Sequence, residues 1–103
     1  MKFELRGNAL YIKLPEELDH VSAIPLRKRV DKLLSLGGYE SVVFDLTHTT
    51  FIDSTGIGFI LGRYKLLQSL NKQLYIMPPD DKTDKVLKLC GIYTIISKLN
   101  EVI

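Results

Sequence analysis

The sequence predicts a layered α/β domain. It has a small mixed sheet, mainly parallel with an N-terminal hairpin, and helices packed mostly on one face. Three observations carry this expectation. Apolar periodicity alternates along the chain between two and about 3.6 residues, giving the order β-β-α-β-α-β-α-β. The run "SVVFDL" (Ser41–Leu46) is nearly continuous in apolar residues, as strands buried on both faces are. Only the first two strands are joined by a two-residue turn, Gly7-Asn8, whereas helical stretches separate the later ones, as parallel neighbours require.

Each element has its own signal. In "KFELRGNALYIKL", Phe3 and Leu5 alternate with Lys2, Glu4 and Arg6, and Leu10, Ile12 and Leu14 alternate again after the turn. Pro15 ends the second strand, and "EELDH" reads as a polar connection. A first helix is expected from Ser22 as N-cap, with Pro25 tolerated in its first turn. Ala23, Leu26, Val30, Leu33 and Leu34 make its core stripe, and Gly37-Gly38 closes it. "THTTFID" connects the third strand to a second helix, expected from about Thr55 to Leu70. Ile57, Ile60, Leu61, Tyr64 and Leu67 recur along it at helical spacing. "QLYIM" is the next strand, stopped by Pro78-Pro79. A third helix is expected from about Thr83 to Cys90, capped at Gly91, and "TIIS" is a candidate edge strand.

Composition narrows the function classes. The 103 residues fit a single domain spanning 1–103, with 46% apolar and 25% charged residues. The net charge is +2 and the charges are interspersed, so direct nucleic-acid binding is not expected. One cysteine, Cys90, allows no intrachain disulfide and points to a reducing, cytoplasmic setting. Two histidines, His20 and His48, with that one cysteine do not make a structural zinc site. The N-terminus lacks an apolar signal core, and no apolar run approaches the roughly 20 residues of a membrane span.

The stretch "FIDSTGIGFILGRYK" (Phe51–Lys65) is the chemically informative one. As a dinucleotide loop its G-x-G-x-x-x-G spacing is one residue too long, and no acid ends the next strand to hold a ribose. As a nucleophile, Ser54 lies outside a G-x-S-x-G elbow, and nothing ties His20 or His48 to it. As a helix start, Asp53 or Ser54 serves as N-cap, and Gly56 and Gly58 permit close packing. Gly58 and Gly62 each weaken a helix by about 1 kcal/mol relative to alanine. Four apart, they share a face off the core stripe, where either the first helix or another molecule comes close. As a switch, a serine hydroxyl at a helix N-terminus is a good phosphoacceptor, because the helix dipole and free N–H groups favour an anion there.

These residues resemble a known family. "VVFDLTHTTFIDSTGIGFILGRYKLL", together with "ELDH" (Glu17–His20) and "LCGI" (Leu89–Ile92), is similar to STAS domains. The likeness is to the anti-sigma factor antagonists of spore-forming bacteria, above all the sporulation antagonists of the anti-sigma F factor. The resemblance covers nearly the whole chain. It implies the STAS-type sandwich and a binding module with no enzyme activity and no cofactor or metal of its own. The implied partners are an anti-sigma factor with serine kinase activity and a PP2C-type serine phosphatase. The free protein would be a cytoplasmic monomer, with no membrane partner. The unmodified domain would capture the anti-sigma factor and free the sigma factor.

Carried onto this chain, Ser54 is the implied phosphorylation site and Thr55 the alternative acceptor. Asp19, Asp53, Ser54, Thr55, Gly56, Gly58 and Gly62 form the implied partner-binding surface. Pro15-Glu16 departs from the small residue and glycine that relatives carry before "ELD", which puts the loop beside Asp19 in question. General stress and sporulation antagonists share this pattern. The alternative on the same fold is a STAS subunit of a membrane lipid-transport or transporter assembly, without phosphorylation.

Overall fold

The computed structural model describes residues 1–99. The hairpin is as expected: β1 (Lys2–Arg6) pairs antiparallel with β2 (Ala9–Lys13). The chain then places β3 (Glu17–Leu18), α1 (Ala23–Ser35), β4 (Ser41–Asp45), β5 (Phe51–Ile52) and α2 (Ser54–Ser69). It continues through β6 (Gln73–Met77), α3 (Asp81–Leu89), a 3-10 turn (Ile92–Thr94) and β7 (Ser97–Lys98). The main sheet runs β1-β2-β4-β6-β7, parallel from β2 onward. Each crossover from β2 adds its strand on the same side of the last one. With uniform right-handed connections, α1, α2 and α3 therefore fall on one face.

That face holds the core. Cross-strand rows Leu10–Val42–Leu74 and Ile12–Phe44–Ile76 meet Leu26, Val30 and Leu34 of α1, Ile60 and Leu67 of α2 and Leu87 of α3. Phe44 and Phe59 stack with centroids 5.8 Å apart. The opposite face carries the row Glu4–Tyr11–Val43–Tyr75 and, among the described residues, no helix, yet Val43 is buried at 1% exposure. The long tyrosines beside it on β2 and β6 can shield it from both sides. β1 is exposed along its whole length, so Phe3 and Leu5 lie beyond the reach of the helices despite their alternation.

Several element boundaries differ from the sequence expectation. α2 begins at Ser54, one residue early, because Asp53 takes the cap position. Its buried stripe is Gly56, Phe59, Ile60, Arg63 and Leu67, while Ile57, Leu61 and Tyr64 are partly buried at its edge. α3 begins at Asp81 rather than Thr83, because the Asp80 carboxylate accepts the Thr83 N–H at 2.8 Å. It ends at Leu89, and Gly91 takes the left-handed conformation (φ 79°) that stops it. "TIIS" is not a strand throughout: Thr94 belongs to the 3-10 turn, and pairing starts only at Ser97. The "EELDH" and "THTTFID" connections each contain two strand residues, β3 and β5, which pair with one another in parallel.

This small second sheet positions everything that follows. The β2–α1 and β4–α2 connections emerge side by side at the carboxyl ends of their strands. Thr49, buried at 1% exposure, donates its hydroxyl to the Pro15 carbonyl at 2.8 Å, and the Thr50 N–H reaches the Glu16 carbonyl at 2.8 Å. Glu16 needs no glycine-like geometry, since Asn71 is the only non-glycine residue with positive φ among the described residues. Leu18, fully buried, lies against the first turn of α2. A methyl group on Gly56 would sit 2.1 Å from the Leu18 carbonyl oxygen. Gly56→Ala should therefore destabilise the fold by about 3 kcal/mol, through a forced shift of backbone against backbone. Gly58→Ala, which meets nothing within 4 Å, should leave stability unchanged or raise it by up to about 1 kcal/mol. Urea denaturation of the two variants checks this pair of outcomes.

Candidate partner-binding and phosphorylation site

The β5–α2 junction is built around Asp53. Its extended backbone (φ −107°, ψ −175°) makes it the N-cap, and Oδ1 accepts the Gly56 N–H at 2.9 Å. Oδ2 accepts the His20 N–H at 3.1 Å, and the His20 ring nitrogen Nδ1 lies 3.4 Å from the same oxygen. One carboxylate thus joins α2 to the loop ahead of α1. His20 does not cap α1; it braces the cap of α2. These donors hold the Asp53 carboxyl below the usual carboxylate range, the Gly56 N–H most of all, against an opposing effect of burial.

The neighbouring loop is ordered by Asp19. Its Oδ1 accepts the N–H groups of Val21 and Ser22, each at 3.0 Å, and its carbonyl accepts the Ala23 N–H at 2.9 Å. The bonds to its carboxylate, led by Ser22's N–H, also lower the Asp19 pKa against an opposing effect of burial. Ser22 stands at the N-cap position without a side-chain cap bond. Its hydroxyl instead donates to the Glu17 carbonyl at 2.7 Å and accepts the Asp19 N–H at 3.1 Å. Asp19, three residues earlier, instead takes up the N–H groups that lead into α1.

The candidate residues therefore occupy one surface. Ser54 and Thr55 are exposed in the first turn of α2, with half-buried Asp53 before them and half-buried Asp19 across the Asp53–His20 bridge. Gly56 belongs beneath this surface, buried against Leu18. Gly58 and Gly62 do not pack closely against α1. A methyl group at either position would meet open space, and together they line a groove of about 300 Å³ between the helices. Ala23, Ile24 and Arg27 form its α1 wall, and Thr55 stands at one end. Ile24 in that wall and Val21 nearby in sequence are 64% and 70% exposed. His48 is exposed and its ring meets the Thr47 hydroxyl at 3.2 Å, away from Asp53.

One residue of this region escaped the sequence reading. Arg63 is 9% exposed, in the floor of the groove. Its Nε lies 2.9 Å from Asp31 Oδ1 of α1, and its guanidinium covers the Phe59 ring at 5.2 Å from the centroid. The pair ties α1 to α2 along one side of the groove. The helical spacing Gly56–Ile60–Arg63–Leu67 was the available signal, but an arginine on that stripe is discounted when apolar residues alone are followed.

Because Asp53 titrates below the usual carboxylate range, its charged form is favoured in the fold. The stability it contributes is present above the unfolded-state pKa and is lost as pH falls through the folded-state one. Asp19 and Asp80, held down by N–H donors in the same way, act in the same direction. The urea midpoint should fall between about pH 5 and about pH 3, the range in which such carboxylates take up protons. Asp53→Asn should show a shallower fall over the same range.

Comparison with known proteins places this geometry. An anti-sigma F factor antagonist of Paenibacillus polymyxa is 28% identical over 96 residues, spanning 93% of this chain and 82% of that protein. The unphosphorylated anti-sigma factor antagonist SpoIIAA shares the fold with a TM-score of 0.80 at 23% identity, covering 97% of this chain and 88% of its own. SpoIIAA of Bacillus in its phosphorylated form gives a TM-score of 0.72 at 23% identity, covering 97% and 91%. The family model for the STAS domain matches residues 1–102, and with its one-faced helices and β5–α2 junction the chain belongs to the STAS domain family.

Proposed function

We propose that this domain is a phosphorylation-switched anti-sigma factor antagonist. In its unmodified form it binds an anti-sigma factor that is also a serine kinase, and so releases the sigma factor. Phosphorylation of Ser54 ends the interaction, and a PP2C-type phosphatase restores it. The observation that carries this reading is the exposed Ser54 as first residue of α2, directly after a cap carboxylate that also fixes the facing loop. The role named for the Paenibacillus relative and the existence of a phosphorylated form of SpoIIAA support it.

The physical basis is local. The first turn of α2 presents the positive end of the helix dipole at an exposed position, so a phosphate on Ser54 is tolerated by the fold. It adds nearly two negative charges beside Asp53. A partner surface complementary to Asp19, Asp53 and the open groove at Gly58 and Gly62 would meet that charge in a desolvated contact, where like-charge placement costs a few kcal/mol. The switch then changes the surface and leaves the core alone.

Two experiments test the reading. Incubation with its anti-sigma kinase, ATP and magnesium should place one phosphate on Ser54, read by mass spectrometry of peptides; phosphate on Thr55 alone, or none, overturns the assignment. Ser54→Asp should weaken the complex at least about tenfold, or 1.4 kcal/mol, while Ser54→Ala should bind but accept no phosphate. Separately, Gly58→Ala and Gly62→Ala should weaken partner binding measured by calorimetry although each free variant is as stable as the parent. Unchanged affinity would remove the groove from the interface.

A further inference from the structure

A second concavity lies on the other side of the α1 N-terminus from Ser54. It occupies about 590 Å³, within the range of small-molecule sites, just past the carboxyl end of β2 where open α/β sheets take their ligands. Its wall is apolar: Leu14, Pro15, Pro25 and Leu26. Around that wall stand three cations, Lys2, Lys13 and Arg29, against a single acid, Glu16. None of the three cations is within an ion pair among the described residues. Unpaired positive charge converging on an apolar depression is complementary to one kind of small molecule.

We propose that this cavity binds an amphipathic anion, an apolar chain ending in a carboxylate or phosphate. The chain would lie against the two prolines and Leu26, and the headgroup would reach Arg29 and Lys13. Ser22 borders the cavity, and its hydroxyl bonds hold the loop of Asp19 and His20. Occupancy would therefore be felt at the edge of the partner-binding surface. The binding itself stands independently of the phosphorylation reading.

The test is titration of the isotopically labelled protein with decanoate and with decyl phosphate, followed by amide NMR, with decanol and inorganic phosphate as controls. Saturable shifts at Leu14, Ser22, Leu26 and Arg29 are expected with either amphipathic anion. Arg29→Gln should weaken binding about tenfold, as loss of a charge-assisted hydrogen bond does, and Lys13→Gln should weaken it in the same direction. Lys65→Gln, on α2, should leave it unchanged. Decanol binding as tightly would reduce the site to an apolar depression. Inorganic phosphate reproducing the shifts would reduce it to a cation cluster. Either result, the absence of saturable shifts, or full affinity in both cavity variants overturns the proposal.

Discussion

The structure of the candidate functional face depends on the Asp53 carboxylate. One oxygen closes the first turn of α2 through Gly56, and the other holds the backbone of His20. Without it, the α2 start would keep its dipole and the β3–β5 contact but lose its side-chain bond to the loop ahead of α1. Asp19 plays the corresponding part for that loop, taking up the N–H groups of Val21 and Ser22. Two aspartates on two connections thus turn two helix starts into one fixed surface. Both are already partly committed to internal hydrogen bonds, so a partner would meet oriented carboxylates rather than mobile ones.

Beneath them, the β3–β5 pair brings the two connections into contact. Leu18 is buried, and its carbonyl lies so close to Gly56 that no side chain fits between. Buried threonine hydroxyls complete the junction: Thr49 reaches Pro15, and Thr83 at the start of α3 reaches the Thr50 carbonyl at 3.2 Å. All three helix starts are thereby linked at the same end of the sheet. Such linkage suits the proposed phosphorylation switch, because a rigid frame would let a local electrostatic change act on a partner directly.

The glycines of "STGIGFILG" divide by role in a manner that their spacing alone did not reveal. Gly56 serves the fold through close backbone approach. Gly58 and Gly62 leave the groove between α1 and α2 open, at some expense in helix propensity. The Arg63–Asp31 pair borders the groove and ties its two walls. The Arg63 guanidinium gives up most of its solvation to form this pair with the more exposed Asp31, so the net stability it adds is small.

Much of this was legible in the sequence. Alternation and helical periodicity are short-range patterns, so the hairpin, the three helices, the central buried strand and the one-faced architecture could be read from the chain. Asp-Ser-Thr before an apolar stripe likewise marked the α2 start and its exposed hydroxyl. Tertiary structure decided what depends on residues distant in sequence. The two-residue strands β3 and β5 have no periodicity of their own and exist only because they meet. Ser22 holds the N-cap position of α1 without a side-chain cap bond, because its hydroxyl donates to the Glu17 carbonyl instead. Phe3 and Leu5 alternate like core residues but lie on an edge that no helix covers. Arg63 is charged yet buried, because Asp31 and Phe59 of the assembled helices supply its partners. Local pattern determines which segments form elements, whereas burial and pairing are properties of the contacts those elements make once folded.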